Sequence, residues 1–134
     1  MTVSRHPSQG DIKKLVTACY QTLIRNEHPS VKVAAAVQAA DGSIHTGVQV
    51  RSHNCGHCAT CAEVVAIGAA LTAGIVDVVA CVAVARTDHR TDIWSPCGTC
   101  REILRDLHVA VVVVAETPAG EYVTATPDEL LPWP

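Results

Sequence analysis

The amino-acid sequence predicts an α/β or α+β sandwich, a sheet of about five strands flanked by helices. Three observations point there. Helix-like and strand-like segments follow in the order α-β-β-α-β-α-β-β-α along 134 residues, a mixture that layers helices on a sheet. Two continuous apolar runs, 76–85 and 109–115, have strand length and no polar alternation, as in a sheet covered on both faces. Hydrophobic content is 49% against 17% charged, with no Phe, so Val, Ala, Leu and Ile must build the core. The length suits one domain, 1–134.

In order, the apolar positions Ile12, Leu15, Val16, Cys19, Leu23 and Ile24 recur at helical spacing over 8–26. Ser8 stands as N-cap, with Asp11 as the capping-box acid. Runs 31–39 and 43–50 flank Asp41-Gly42 and read as a hairpin. Residues 52–60 (SHNCGHCAT) form a polar connection. Residues 61–73 make an Ala-rich helix stopped by Gly74 as a left-handed cap. The first buried-strand run, a polar loop at 86–95 and a helix opened by Pro96 through 107 come next. Strands at 109–115 and 121–125 and a last helical turn at 126–132 complete the chain. It carries no repeat, linker or low-complexity tract.

Net charge is −3 and no Lys/Arg run exceeds two residues, which argues against a nucleic-acid partner and for a small substrate. No 18-residue apolar stretch and no signal-peptide core are present, so no membrane partner and a cytoplasmic location are expected. Seven cysteines without a secretion signal point to free thiols that bind metal, catalyse or fill core space. The apolar excess also suggests a subunit interface.

Cys61 and Glu63 open one helix, and Cys97 and Cys100 form a Pro-Cys-x-x-Cys motif opening another. Each helix directly precedes a buried strand, so two helix starts can face each other over the sheet edge. Catalytic zinc takes three protein ligands and leaves a fourth position for water. Cys97 and Cys100 share a helix face, and Cys61 adds the third sulfur. Helix N-termini favour the thiolate. Three thiolates on Zn²⁺ leave a net negative charge that opposes ionising a bound water, and Arg101 is the candidate cation to offset it. Its alternative is a surface helix charge. Glu63 is placed to take a proton from that water and deliver it to a leaving amino group; alone, it would read as an exposed first-turn acid.

Cys-Ala-Glu with Pro-Cys-x-x-Cys resembles the cytidine deaminase superfamily, with the small cytidine and blasticidin-S deaminases as the nearest pattern. The carrying stretches are CAEVVAIGAALTAG at 61–74 and SPCGTCREILRDL at 95–107, with weaker matches HPSVKVAAAV at 28–37 and TPDELLP at 126–132. The resemblance implies a three-layer α-β-α sandwich on a five-stranded mixed sheet, one zinc per subunit, and a homotetramer whose sites neighbouring chains complete. It also implies that backbone groups at Ala62 and Ser95 hold a small heterocyclic substrate.

The family's Asn-x-Glu pair, which hydrogen-bonds ribose, falls by distance from Cys61 on Val50 and Ser52. Sugar hydroxyls left unpaired there would cost roughly 1–3 kcal/mol each, so a free nucleobase or base analogue is expected over a ribonucleoside. Val31 and Val64 replace a hairpin aromatic and an Arg of the cytidine enzymes. Trp94 could supply ring stacking or pack at a subunit contact. Ser52 and His53 are further candidates to touch substrate. His53, Cys55, His57 and Cys58 could line the pocket mouth or hold a second metal or iron–sulfur cluster, or Cys55 and Cys58 could join Cys97 and Cys100 in a zinc knot. Cys19 and Cys81 read as core; His6, His28, His45, His89 and His108 read as surface or satisfied core. A structural or redox zinc module without turnover is the competing class, and a nucleic-acid editing deaminase is disfavoured by the charge.

Overall fold

A computed structural model of the protein describes residues 5–133; the first four residues of the stretch read for a signal peptide lie outside them. Ser8 caps α1 (Gln9–Ile24): its hydroxyl accepts from the Asp11 N–H at 3.1 Å, and Asp11 accepts from the Ser8 N–H at 3.0 Å. This reciprocal box satisfies two donors that the first helical turn would otherwise orphan. Ile12, Leu15, Val16, Cys19 and Leu23 bury the helix face against the sheet.

The expected hairpin is β1 (Val33–Ala39) paired antiparallel with β2 (Ile44–Val48). Asp41 holds its turn by accepting from the N–H of Ser43 at 2.8 Å and the hydroxyl at 2.6 Å. Residues 50–60 contain a second, smaller hairpin, β3 (Val50–Arg51) with β4 (Ala59–Thr60). Helix α2 (Ala62–Thr72) follows and ends in a Schellman turn, with Gly74 at φ +87° and Ile75 N–H bonded to the Ala70 carbonyl.

Strand β5 (Val78–Arg86) pairs antiparallel with β1 and parallel with β7 (Val111–Glu116), and α3 (Gly98–Asp106) makes the crossover between the parallel strands. Strand β8 (Tyr122–Ala125) closes the path β2-β1-β5-β7-β8, and a 3-10 turn, Asp128–Leu130, ends it. The five-strand mixed sheet of the sequence expectation is therefore present. A short extra strand, β6 (Thr91–Ile93), pairs with the end of β5 inside what reads from sequence as a polar loop.

Both faces are covered. Ala34 and Ala36 of β1 turn to the α1 side, while Ala35 and Val37 turn to Ala62, Ala66, Ile67 and Ala70 of α2 and Leu104 of α3. The period of two in a strand sorts alternate residues to opposite layers, and both layers are apolar. Small side chains let helix and sheet approach closely.

The closest approach is at Gly47 of β2. A Cβ there would stand 2.5 Å from the Ala66 nitrogen and 2.9 Å from the Val65 Cβ. Only a residue without a side chain lets α2 lie on β2 at this distance. Gly47→Ala is therefore expected to displace α2 and destabilise the fold by about 1–3 kcal/mol, the usual range for overpacking. A lower thermal unfolding midpoint with reduced zinc retention would show it; unchanged values of both would refute it.

Candidate metal centre and substrate pocket

Cys61 is the N-cap residue of α2 and Cys97 that of α3, each with extended backbone and with no side-chain bond to its own helix. An N-cap is ordinarily Ser, Thr, Asp or Asn, whose oxygen accepts from the first turn. Here the two caps turn their sulfurs to each other, 3.5 Å apart. Cys100, one turn into α3 and fully buried, brings the third sulfur, and all three lie within 4.8 Å of one another. Zn–S bonds of about 2.3 Å at tetrahedral angles separate sulfurs by about 3.8 Å. The set fits one zinc ion with a corner left over.

Burial pushes the Cys61 and Cys100 thiols up. Desolvation acts on Cys97 as well, but the neighbouring sulfurs of Cys61 and Cys100 hold it below the ordinary thiol value. Burial also raises Glu63, which is 5% exposed, against hydrogen bonds from its own backbone and from Cys100 that lower it.

Glu63 and Cys61 stand at a cavity of ≈ 230 Å³ whose walls are Val33, Gln49, Ala59, Thr60, Ala62, Ala83, Trp94, Ser95 and Cys97. This is smaller than the roughly 300–1,000 Å³ of pockets that enclose drug-sized ligands, and it suits a single small ring. Of the residues singled out in the sequence, Ala62, Trp94 and Ser95 do reach it. Trp94 owes its place to β6: Ile93 pairs with Val84, and the Trp94 N–H donates to the Ala83 carbonyl at 3.0 Å.

Arg101 is no free helix charge. Its Nε donates to the Pro96 carbonyl at 2.7 Å, Nη1 to the Leu130 carbonyl at 2.8 Å and Nη2 to the Ser95 hydroxyl at 3.1 Å. The guanidinium staples the Ser95-Pro96 wall to the C-terminal turn.

Ser52 and His53 are not among the cavity-lining residues. The β3–β4 hairpin carries residues 52–58 outward as its tip, where the Ser52 hydroxyl accepts from the Asn54 N–H at 3.2 Å and His53 is exposed. Cys55 and Cys58 are joined in a disulfide, contrary to the expectation of free thiols. Joined, they cannot serve the second metal, iron–sulfur or zinc-knot readings; the i to i+3 spacing that suited a ligand pair also suits a bridge. Cys19 and Cys81 are core as expected, and burial pushes the Cys19 thiol up to about 12.

Gln49 is the wall residue that counting back from Cys61 misses. Val50 is 59% exposed and lies off the pocket, so an amide stands at the wall one residue before the valine. The available signal was a lone polar side chain between Val48 and Val50 in a β-rich run.

Comparisons with known proteins agree with this geometry. Residues 10–116 match the family model described as the cytidine and deoxycytidylate deaminase zinc-binding region. A blasticidin-S deaminase from Bacillus cereus is 32% identical over 130 residues, covering 93% of this chain and 91% of the relative. The crystal structure of cytidine deaminase from Mycobacterium leprae superposes with a TM-score of 0.70 at 27% identity, over 90% of this chain and 97% of that one. That of the enzyme from Bacillus anthracis gives 0.73 at 23% identity, over 91% and 87%, a likeness of fold. With three sulfurs gathered at two helix starts beside a buried glutamate, the chain belongs to the zinc-binding cytidine and deoxycytidylate deaminase family.

Proposed function

We propose that the protein hydrolytically deaminates a cytosine-type ring that carries a substituent on its ring nitrogen, as in a nucleoside or a nucleoside-like antibiotic. The observation that carries the reading is the buried Glu63 beside the three sulfurs of Cys61, Cys97 and Cys100, at the wall of an apolar, ring-sized cavity. Cys61, Cys97 and Cys100 would hold zinc, which would supply a Lewis acid that makes water easier to deprotonate. Glu63 accepts a proton from the attacking water and returns it to the departing nitrogen, so that ring C–NH₂ and water give ring C=O and ammonia. Trp94 offers a stacking face. The backbone at Ala62 and Ser95 lies where it can meet the ring edge, and the Arg101 charge stands next in sequence to a ligand.

The chemistry predicts a split between two variants. Glu63→Gln should lose about 10²–10⁴-fold in ammonia release while keeping stoichiometric zinc; Cys100→Ser should lose both. A Glu63→Gln protein as active as wild type would refute catalysis by this mechanism.

The sequence argument for a free base rested on Val50 and Ser52, neither of which lines the cavity. Gln49 does, and its Oε1 accepts from the Lys32 N–H at 3.1 Å, which leaves the amide nitrogen to donate to a substituent oxygen. The relative's name, blasticidin-S deaminase, and the cytidine deaminase neighbours support the same class. Turnover of cytidine or blasticidin S should exceed that of cytosine, and Gln49→Ala should cut the substituted substrates about tenfold, the loss of one hydrogen bond at 1–3 kcal/mol, with cytosine unaffected. Cytosine as the best substrate would restore the free-base reading.

A homotetramer in the cytoplasm without nucleic acid is the setting that fits. Exposed Leu71 and Val76, half and almost fully open near the end of α2, supply apolar surface for subunit contact. Sedimentation should give a species of about four chains; a monomer would contradict this. Among the described residues no helix is long and apolar enough to cross a membrane.

A further inference from the structure

Of the seven cysteines, three gather at the metal centre, and Cys19 and Cys81 are buried at 0% and 1% exposure. Outside the metal centre, where Cys97 is also exposed, the cysteines on open surface are Cys55 and Cys58, Cys58 exposed and Cys55 half-buried. They sit at the tip of the β3–β4 hairpin, bonded to each other with a Cα separation of 5.2 Å. The Cys58 N–H donates to the Cys55 carbonyl at 3.1 Å, and the Ser52 N–H to the Cys58 carbonyl at 2.7 Å. The tight turn between them therefore holds the two sulfurs together by backbone bonds as well as by the bridge.

The hairpin below that tip is slight. It has two register pairs, Val50 with Thr60 and Arg51 with Ala59, and all four residues are exposed. A ladder this short with no apolar face buried has little stability of its own. Yet its two roots are pocket wall: Gln49 immediately precedes one strand, and Ala59 and Thr60 form the other and run directly into Cys61. A covalent link at the tip restricts how far the roots can part.

We propose that Cys55–Cys58 is a reversible dithiol–disulfide modification site whose state sets how firmly the 50–60 hairpin holds one wall of the pocket. In the oxidising direction a Cys thiolate attacks a low-molecular-weight disulfide such as oxidised glutathione. That S–S bond breaks and one glutathione leaves as thiol. The second Cys then attacks the mixed disulfide, forms the Sγ–Sγ bond and releases the other glutathione. Two electrons pass from the cysteine pair to glutathione, and the two protons the cysteines lose appear on the two departing thiols. A dithiol reductant reverses the exchange. The sulfurs of Cys61, Cys97 and Cys100, held by zinc, are withdrawn from it.

The test uses the full zinc-loaded chain, reduced with dithiothreitol or oxidised with glutathione disulfide, then alkylated with iodoacetamide and weighed. The reduced protein should take two labels, on Cys55 and Cys58, and the oxidised protein none. Amides of residues 50–60 should exchange hydrogen severalfold faster in the reduced form. The effect on substrate rests on the deaminase reading: KM should rise severalfold on reduction while kcat and zinc content hold. The Cys55→Ser/Cys58→Ser protein should keep the higher KM whatever the oxidant. Equal label counts in the two states, or equal exchange and equal KM, would overturn the proposal. A protein inactive on every substrate would fail the deaminase reading alone, since labelling and exchange still decide this one.

Discussion

Two helices begin at one point in space, and each gives up its own cap to do so. Cys61 and Cys97 occupy positions where an oxygen would bond the first turn, and neither side chain makes that bond. A lost N-cap costs about 1 kcal/mol, so the pair of helix starts is locally under-satisfied. What offsets the loss is the ion: thiolates there feel two helix dipoles of favourable sign, and metal binding at a site built only in the folded chain is folding free energy. Fold and cofactor are coupled through two backbone positions. The glutamate two residues beyond the first cap inherits its place from the same helix start.

That coupling depends on how closely α2 sits on the sheet. Gly47 lacks the side chain that would hold the helix off β2 at that point, and the Ala-rich faces of β1 and α2 let the layers close across the rest of the contact. Small side chains along this contact are then part of how the site is built. Larger side chains between α2 and β1 would lift the α2 N-terminus and separate Cys61 from the α3 sulfurs. The apolar fraction that reads from sequence as excess is in part the consequence of filling two thin layers with small residues.

The metal set was legible because few residue types bind zinc and because i, i+2 and i, i+3 spacings at helix starts are local properties. The sheet order was legible for a similar reason: runs 76–85 and 109–115 are long and apolar enough to be strands in any context. The pocket wall was not legible in the same way. Val33, Gln49, Thr60, Ala83 and Trp94 come from five different segments, and their convergence is a tertiary fact. Counting back from Cys61 assumed a connecting loop of fixed length, and one residue of error exchanges an amide for a valine because neighbours in extended chain point opposite ways. Strand β6 was hidden because three residues in a charged loop carry too little periodicity to register, although Thr91 and Ile93 alternate as a strand should. The Cys55–Cys58 bridge was hidden because Cys-x-x-Cys serves metal and disulfide alike.

The C-terminal turn shows how distant chain enters the site without lining it. Leu130 packs on the α2–α3 face of the sheet, and its carbonyl accepts from Arg101, whose other nitrogens hold Ser95 and the Pro96 carbonyl. One planar fork thus fixes two segments relative to the α3 sulfurs, a geometry that lysine, with a single terminal nitrogen, would not reproduce. The guanidinium loses its freedom to these three bonds. It steadies the loop that follows Trp94. A residue next to Cys100 in sequence thus shapes the pocket wall through its bonds to Ser95 and to the Pro96 carbonyl, without lining the cavity itself.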